Sequence, residues 1–141
     1  MTRRSILRLV DANANRALEG LRVCEEIVRF HLEEAALFRR LRALRHQVAT
    51  ALRRLPVTPL ELVSARQSAR DVGRQAAATP EDSLERLLLI NFQRVKESLR
   101  VLEECSRVLS PQHTPAFQRA RFQAYETERA VLLRVAALRH P

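Results

Sequence analysis

Residues 13–29 read NANRALEGLRVCEEIVR, and they decide the fold because the chain repeats much of this stretch further on. Residues 91–107 read NFQRVKESLRVLEECSR, so nine of the 17 positions are identical after a shift of 78 residues. In both copies the apolar residues follow one another in steps of three and four, which is the spacing of one helix face. The sequence therefore predicts two copies of an amphipathic helix, each of which needs a partner to bury its apolar face.

Each repeated helix is followed by a second helical pattern, so four long helices are expected. The prolines of LPVTP, residues 55–59, end the second helix, Thr79 and Pro80 suit the start of the third, and Pro111 and Pro115 precede the fourth. The predicted helices span, in chain order, about 5–31 (with Asp11 as an alternative start), 33–54, 80–109 and 116–138.

These patterns predict an all-α fold. Two duplicated antiparallel helical hairpins, at about 5–54 and 80–138, are expected to form a four-helix bundle-like domain with pseudo-twofold symmetry. A connector at about 55–79, with a short helical piece, would join them within a single domain of residues 1–141. Aromatic residues make up 4% of the chain and there are two glycines, a composition that suits long packed helices.

The sequence carries no signal for a membrane or for secretion. No apolar run reaches the length of roughly 18 residues that a membrane helix needs, and the N-terminal region lacks the apolar segment of a secretory signal. Cys24 and Cys105 fall in helical apolar patterns, so we expect two buried thiols in a reducing compartment. A cytoplasmic protein without a membrane partner is predicted.

The formal net charge of +9 is carried almost entirely by arginine, because Lys96 is the only lysine. Most arginines lie three or four residues from a glutamate, which is typical of weakly paired, solvated helix faces. Basic residues interleaved with aromatic residues, the pattern of a nucleic-acid binder, are absent. Phosphorylated small molecules are therefore favoured as partners over nucleic acid.

A second face of each repeated helix carries polar side chains at its N-terminal half. Asn13 and Arg16 lie one turn apart on the first copy, and Asn91 and Arg94 occupy the same positions on the second. Two such arginines would suit phosphate oxygens, because the planar guanidinium binds them with two hydrogen bonds. The alternative is that the arginines only pair with the glutamates three residues on. Gly20 lies on the same face, where close approach of a ligand or of another helix would explain it.

The same residues resemble a known family. DANANRALEGLRVCEEIVRF, residues 11–30, is similar to the opening signature of the small hydroxymethylpyrimidine-phosphate kinases of thiamine biosynthesis, which are often fused ahead of thiamine-phosphate synthase. A second specific match to the family is NFQRVKESLRVLEE, residues 91–104. Weaker matches are LRALRH (41–46), ARQSARDVG (65–73) and RFQAYETE (121–128). The connector departs from the family's Arg-Asp-Thr, since this chain has Arg66, Gln67 and Ser68.

The resemblance implies an ATP-dependent kinase. It would transfer the γ-phosphoryl group of ATP to 4-amino-5-hydroxymethyl-2-methylpyrimidine phosphate, with Mg²⁺ as cofactor and ATP as co-substrate. The alternative is a non-catalytic helical module, binding or regulatory, associated with thiamine-phosphate synthase. That synthase is then the expected partner, and formation of a homo-oligomer is left open.

Site residues follow by matching positions to the family's motifs. The residues expected to be catalytic are Arg16, Glu19, Asp71, Arg94 and Glu97. Those expected to bind substrate or ATP are Asp11, Asn13, Arg45, His46, Arg66, Gly73 and Asn91. Asp71, Glu19 and Glu97 are the expected metal ligands.

Several of these residues have a structural alternative. Asp11 would serve equally as a helix N-cap, and His46 as a structural histidine. Tyr125 is expected to pack in the core with its hydroxyl group hydrogen-bonded. The glutamates of the two EE pairs are predicted to be outer-face charges; they are Glu25, Glu26, Glu103 and Glu104.

Overall fold

The computed structural model describes residues 2–140, and this part of the chain is all-helical, as the sequence predicted. Its five α-helices are α1 (Arg3–Ile27), α2 (Ala35–Arg54), α3 (Pro59–Ala65), α4 (Leu84–Leu109) and α5 (Thr114–Arg139). Short 3₁₀ turns at Ser68–Arg70 and Pro111–His113 lie between them, and none of the described residues forms a strand. No described helix is long and apolar enough to cross a membrane.

Helix α1 begins earlier than either predicted start. Thr2 caps it, because the Thr2 hydroxyl oxygen accepts the backbone N–H of Ser5 at 3.2 Å. Asp11 lies two turns inside the helix, so its interpretation as an N-cap is wrong. The helix continues as a π-helical turn at Val28–Leu32 and ends at Glu33, whose φ of 55° is left-handed.

The predicted connector contains the expected short helix, α3. Thr58 and Glu61 form a reciprocal capping box at its start, with Pro59 in the first turn. The prediction that Thr79 and Pro80 begin the next helix is wrong. Helix α4 begins four residues later, because Ser83 provides the cap by accepting the backbone N–H of Arg86 at 3.1 Å.

Helices α1 and α4 run antiparallel through the centre of the fold. Cys24 approaches the carbonyl oxygen of Leu88 at 4.0 Å, whereas the N-terminal end of α1 lies beside the C-terminal end of α4, where Leu9 and Val108 share a groove. Helix α2 packs on α1, and α5 packs on α4 and α2. The largest fully buried side chains between them are Phe92, Phe117, Leu21, Leu41, Leu88, Leu99 and Leu102.

Both cysteines are buried free thiols, as predicted. Burial, with the nearby carboxylates of Glu128 and Glu25, raises the pKa of Cys24 to about 12. Burial also raises the pKa of Cys105. Since thiolate is the reactive form, burial makes both thiols less reactive at neutral pH.

Gly20 lets α1 and α4 approach one another closely. A Cβ atom at this position would lie 2.8 Å from Cγ2 of Val95 and 3.3 Å from the carbonyl oxygen of Asn91. Of the two explanations for this glycine, contact with another helix is therefore the one that the structure supports.

Candidate functional site

A central cleft opens where the polar half of α1 meets α4. Its volume is about 470 Å³. Residues of α1, of α4 and of the segment between α3 and α4 line it; they are Asn13, Arg16, Gly73, Ala76, Arg94, Glu97, Ser98 and Val101. Five of the predicted site residues are thus brought to one place: Asn13, Arg16, Gly73, Arg94 and Glu97. Four of them lie in the repeated stretch, and Arg16 and Arg94 occupy matching positions of the two copies.

A second cleft, the connector cleft, adjoins the first and has a volume of about 510 Å³. The two clefts share Asn13 and Arg16. The connector cleft adds four more predicted site residues, which are Asp11, Glu19, Arg66 and Asp71. Residues 67–82, named the strap here, supply part of both walls: Gln67, Ser68 and Asp71 to the connector cleft, and Gly73 and Ala76 to the central cleft.

Arg16 and Arg94 are exposed on the central cleft. Neither forms an ion pair with a carboxylate among residues 2–140, although Glu19 and Glu97 lie three residues further on. The alternative in which these arginines only pair with the next glutamates is therefore not what the structure shows. Their guanidinium groups are therefore available to bind an anion.

Asn13 and Asn91 differ in position although they occupy matching places in the repeat. Each side-chain amide donates a hydrogen bond of 2.9 Å to the carbonyl oxygen four residues earlier, that of Leu9 or Leu87. Asn13 lines both clefts. Asn91 instead lies where α4 passes Gly20, and it is not among the residues that line either cleft.

Asp11 and Arg66 bind each other. The buried Asp11 carboxylate accepts two hydrogen bonds from the Arg66 guanidinium, from Nε at 2.7 Å and from an Nη atom at 2.8 Å. This pairing raises the pKa of Arg66. Both residues line the connector cleft, but their opposite charges compensate each other.

Arg45 and His46 are not brought to the site. The Arg45 guanidinium binds Glu25, which raises the pKa of Arg45, and His46 is exposed on α2 away from both clefts. Glu25 is 1% exposed, so its interpretation as an outer-face charge is wrong. The same correction applies to Glu103, which is buried and binds Arg121 through two hydrogen bonds.

Tyr125 also differs from its prediction, since it is 42% exposed rather than packed in the core. It borders a third cavity, between α4 and α5, beside Lys96. The ammonium group of Lys96 lies 5.1 Å from the Tyr125 ring centroid and 2.8 Å from a carboxylate oxygen of Glu128. The Lys96–Glu128 ion pair thus links α4 and α5, as the Glu103–Arg121 pair does.

The carboxylates proposed as metal ligands do not form a cluster. Among residues 2–140, no three His, Cys, Asp or Glu side chains lie together in a way that could hold a metal ion. Glu19 and Asp71 line the connector cleft, Glu97 lines the central cleft, and one oxygen of Asp71 accepts the backbone N–H of Gly73 at 2.8 Å. The donor set expected for Mg²⁺ is therefore not assembled here.

Sequence reasoning missed several residues of the clefts. Arg8 lines the connector cleft one turn before Asp11; it lies within the predicted helix of about 5–31, so helix periodicity could have found it. Ser68 and Ala76 had no such signal, because the place of the strap depends on how the connector folds back on α1.

A comparison with protein-family profiles matches residues 8–130 to the ThiD2 family. The chain belongs to this family. The match covers all the motifs on which the resemblance was based, so the link to a thiamine-related family is confirmed.

Curated relatives give the family context. The chain is 36% identical over 138 residues to a thiamine-phosphate synthase of Rhodopirellula baltica, covering 96% of this chain and 36% of the relative. It is 39% identical to one of Nostoc punctiforme, over 87% of this chain and 34% of the relative. The chain thus spans about a third of the length of these relatives. No solved structure matches it.

These relatives overturn one prediction. They carry the name of a synthase and not that of a pyrimidine kinase, so the prediction of an ATP-dependent phosphomethylpyrimidine kinase is wrong. The alternative given with it, a helical module associated with thiamine-phosphate synthase, agrees better with these names.

Proposed function

We propose that this chain is a non-catalytic helical binding module that works with thiamine-phosphate synthase, and that its central cleft holds a phosphorylated ligand of that enzyme. The name of the enzyme indicates thiamine phosphate as this ligand. The observation that carries the proposal is the pair of exposed arginines, Arg16 and Arg94, which share one cleft and pair with no carboxylate among residues 2–140.

The cleft has groups for both ends of such a ligand. The two guanidinium groups suit phosphate oxygens, and the Ser98 hydroxyl and Asn13 amide add neutral hydrogen-bonding groups. Glu97 offers an exposed carboxylate on the same cleft, which suits the cationic ring of thiamine phosphate. Unphosphorylated thiamine would leave both arginines without a partner, so the cleft is expected to discriminate against it.

The association with the synthase rests on length and identity. The relatives carry a region like this chain within a protein about three times as long, so in them the module and the remainder are covalently joined. We infer that the module delivers or retains a phosphorylated ligand for that remainder. A tethered module gains from a high effective concentration, whereas a separate chain needs an interface of its own.

Calorimetric titration of the chain with thiamine phosphate, and with thiamine, tests the ligand. Binding of thiamine phosphate but not of thiamine is expected. Arg94→Gln should weaken binding about tenfold to a hundredfold, the loss of one charge-assisted hydrogen bond of about 1.5–3 kcal/mol. Arg107→Gln is the matched control, since Arg107 is an exposed arginine of the same helix that pairs with Glu104 away from the cleft. Equal affinity for thiamine and thiamine phosphate would refute the proposed ligand.

Partnership is tested separately by sedimentation velocity. The chain is mixed with the portion of the Rhodopirellula baltica synthase that lies outside the matched region, with and without thiamine phosphate. A complex is expected, and bovine serum albumin serves as the negative partner. Absence of any complex at micromolar concentrations, with both proteins folded, would reject the association.

We propose further that the two halves are copies of one helical hairpin related by pseudo-twofold symmetry. In support, the buried Glu25–Arg45 and Glu103–Arg121 pairs both place a glutamate of a repeated helix, 78 positions apart, against an arginine of the following helix. Binding of ATP and Mg²⁺, a homo-oligomer, a cytoplasmic location and the absence of a nucleic-acid partner stay predictions.

A further inference from the structure

Asp11 is a buried carboxylate in the middle of a helix. Transfer of a carboxylate from water into a protein interior is costly unless a cation and hydrogen bonds compensate for it. Its partner, Arg66, comes from 55 positions further along the chain and satisfies both carboxylate oxygens. Asn15 adds a longer contact of 3.4 Å from the same helix. The pair therefore fixes the end of α3 to α1 at a defined point.

The strap that follows Arg66 has few fixed contacts of its own. Ser68–Arg70 forms a 3₁₀ turn, and the backbone hydrogen bonds of residues 67–82 are to residues within the strap. Among residues 2–140, the strap forms one ion pair, between Glu81 and Arg86 at 3.8 Å. Arg86 lies in the first turn of α4. All strap residues after Gln67 are exposed. The position of the strap over α1 is thus set mainly at the Arg66 end.

This position matters because the strap forms walls of both clefts. Gln67, Ser68 and Asp71 face Asn13 and Arg16 across the connector cleft, and Gly73 and Ala76 complete the central cleft. If the strap swung away from α1, Arg16 would lie on an open helix surface. Arginine on an open surface is fully hydrated and binds anions less well than it does in a cleft.

We propose that Asp11 and Arg66 are the positioning residues of the ligand site: their ion pair holds the strap against α1, and the affinity of the clefts depends on it. The inference rests on the proposed function for its ligand but not for its geometry. Neither residue needs to touch the ligand. Arg66, predicted from sequence as a ligand-binding residue, acts through the strap instead.

The distance between the strap and α1 is the direct test. Nitroxide labels at Ala77→Cys on the strap and Arg22→Cys on α1 report it by pulsed electron paramagnetic resonance. The two native cysteines are buried free thiols, so the labels are expected to react mainly at the two introduced positions. A narrow distance distribution is expected in the parent protein and a broad one in Arg66→Gln. Arg66→Gln leaves the buried Asp11 carboxylate without its cation, so circular dichroism checks that the variant is folded. The Asp11→Asn/Arg66→Gln double variant removes both charges and gives the same distance test without an uncompensated carboxylate.

Arg3→Gln is the matched control, because it breaks the Arg3–Glu61 pair between the same two helices without touching the strap. It should leave the distance distribution narrow. Affinity for thiamine phosphate should fall about tenfold in Arg66→Gln, recover partly in Arg66→Lys, and fall no further when Asp11→Asn is added, since one pair is broken in both cases.

An unchanged distance distribution in Arg66→Gln would overturn the inference, as would additive losses of affinity in the double variant. If the parent protein binds no thiamine phosphate, the proposed function fails, but the distance measurement still decides whether the pair holds the strap.

Discussion

The repeated stretch of this protein has two halves that use charge in opposite ways. In its C-terminal half, the buried Glu25 and Glu103 bind Arg45 and Arg121 across to the next helix. In its N-terminal half, Arg16 and Arg94 are exposed and pair with no described carboxylate. The same residue types, on the same helices, thus close the bundle at one end of the stretch and leave a charged cleft at the other.

The difference teaches how to separate structural from binding charges in a helical bundle. The charge of a buried carboxylate is compensated when a guanidinium group donates hydrogen bonds to both of its oxygens, so such a pair offers no free charge to a ligand. An exposed arginine on a concave surface is still available for a ligand. The comparison predicts that the buried pairs determine stability and the cleft arginines determine binding.

The largest effect is expected at a buried pair. Glu25→Gln leaves the partly buried Arg45 guanidinium without its carboxylate partner and should lower the free energy of unfolding by about 3 kcal/mol, because removing one partner of a buried ion pair is strongly destabilising. Urea denaturation measures it. Glu26→Gln is the control, since its exposed pair with Arg22 is expected to contribute at most about 0.5 kcal/mol. Equal effects of the two variants would break the distinction between buried and exposed charges.

Gly20→Ala should give the next largest effect. The added methyl group would contact the buried Val95 side chain at 2.8 Å, which overpacks the α1–α4 contact by roughly 1–3 kcal/mol, while better helix propensity returns about 1 kcal/mol. A net destabilisation of about 1 kcal/mol is expected in thermal unfolding. Gly73→Ala provides the contrast, because its Cβ would make only an ordinary contact of 3.4 Å, and a larger loss there would contradict the packing argument.

A partly buried carboxylate, that of Glu85, should produce a smaller, pH-dependent effect. A hydrogen bond from its own backbone N–H, and then one from His31, hold the pKa of Glu85 below its ordinary value of 4.5. Its contribution to stability is complete above the unfolded-state pKa and is lost as pH falls through the lower folded-state value. Glu85→Gln should therefore flatten the acid limb of the stability curve below about pH 4.5. An unchanged acid limb would show that this site contributes nothing.

Arg94→Gln should have the smallest effect on stability, within about 0.5 kcal/mol, because no folded-state partner is lost. The same variant is expected to reduce binding of thiamine phosphate strongly. Parallel urea denaturation and calorimetric titration would show whether the two readouts separate. A destabilisation as large as that of Glu25→Gln would mean that Arg94 is a structural residue, and the comparison between the two halves would fail.

Local pattern was sufficient for much of the fold. Apolar spacing placed the long helices and buried both cysteines, and the ends at Arg54 and Leu109 were predicted correctly. The start of α4 was wrong because Thr79 and Ser83 are both good caps, and sequence does not say which one the chain uses. Five predicted site residues reached the central cleft, since helix periodicity alone aligns those of α1 and of α4.

The sequence by itself determined that this chain forms amphipathic helices, two of which share a repeated stretch, because a 3.6-residue period is a property of neighbouring residues. Only the tertiary structure decided what each charge does. Arg45 meets Glu25 across 20 positions, and Arg66 meets Asp11 across 55. Whether an arginine pairs with a buried carboxylate or faces a cleft depends on which helix lies opposite it. The residue pattern of one helix does not specify which helix packs against it.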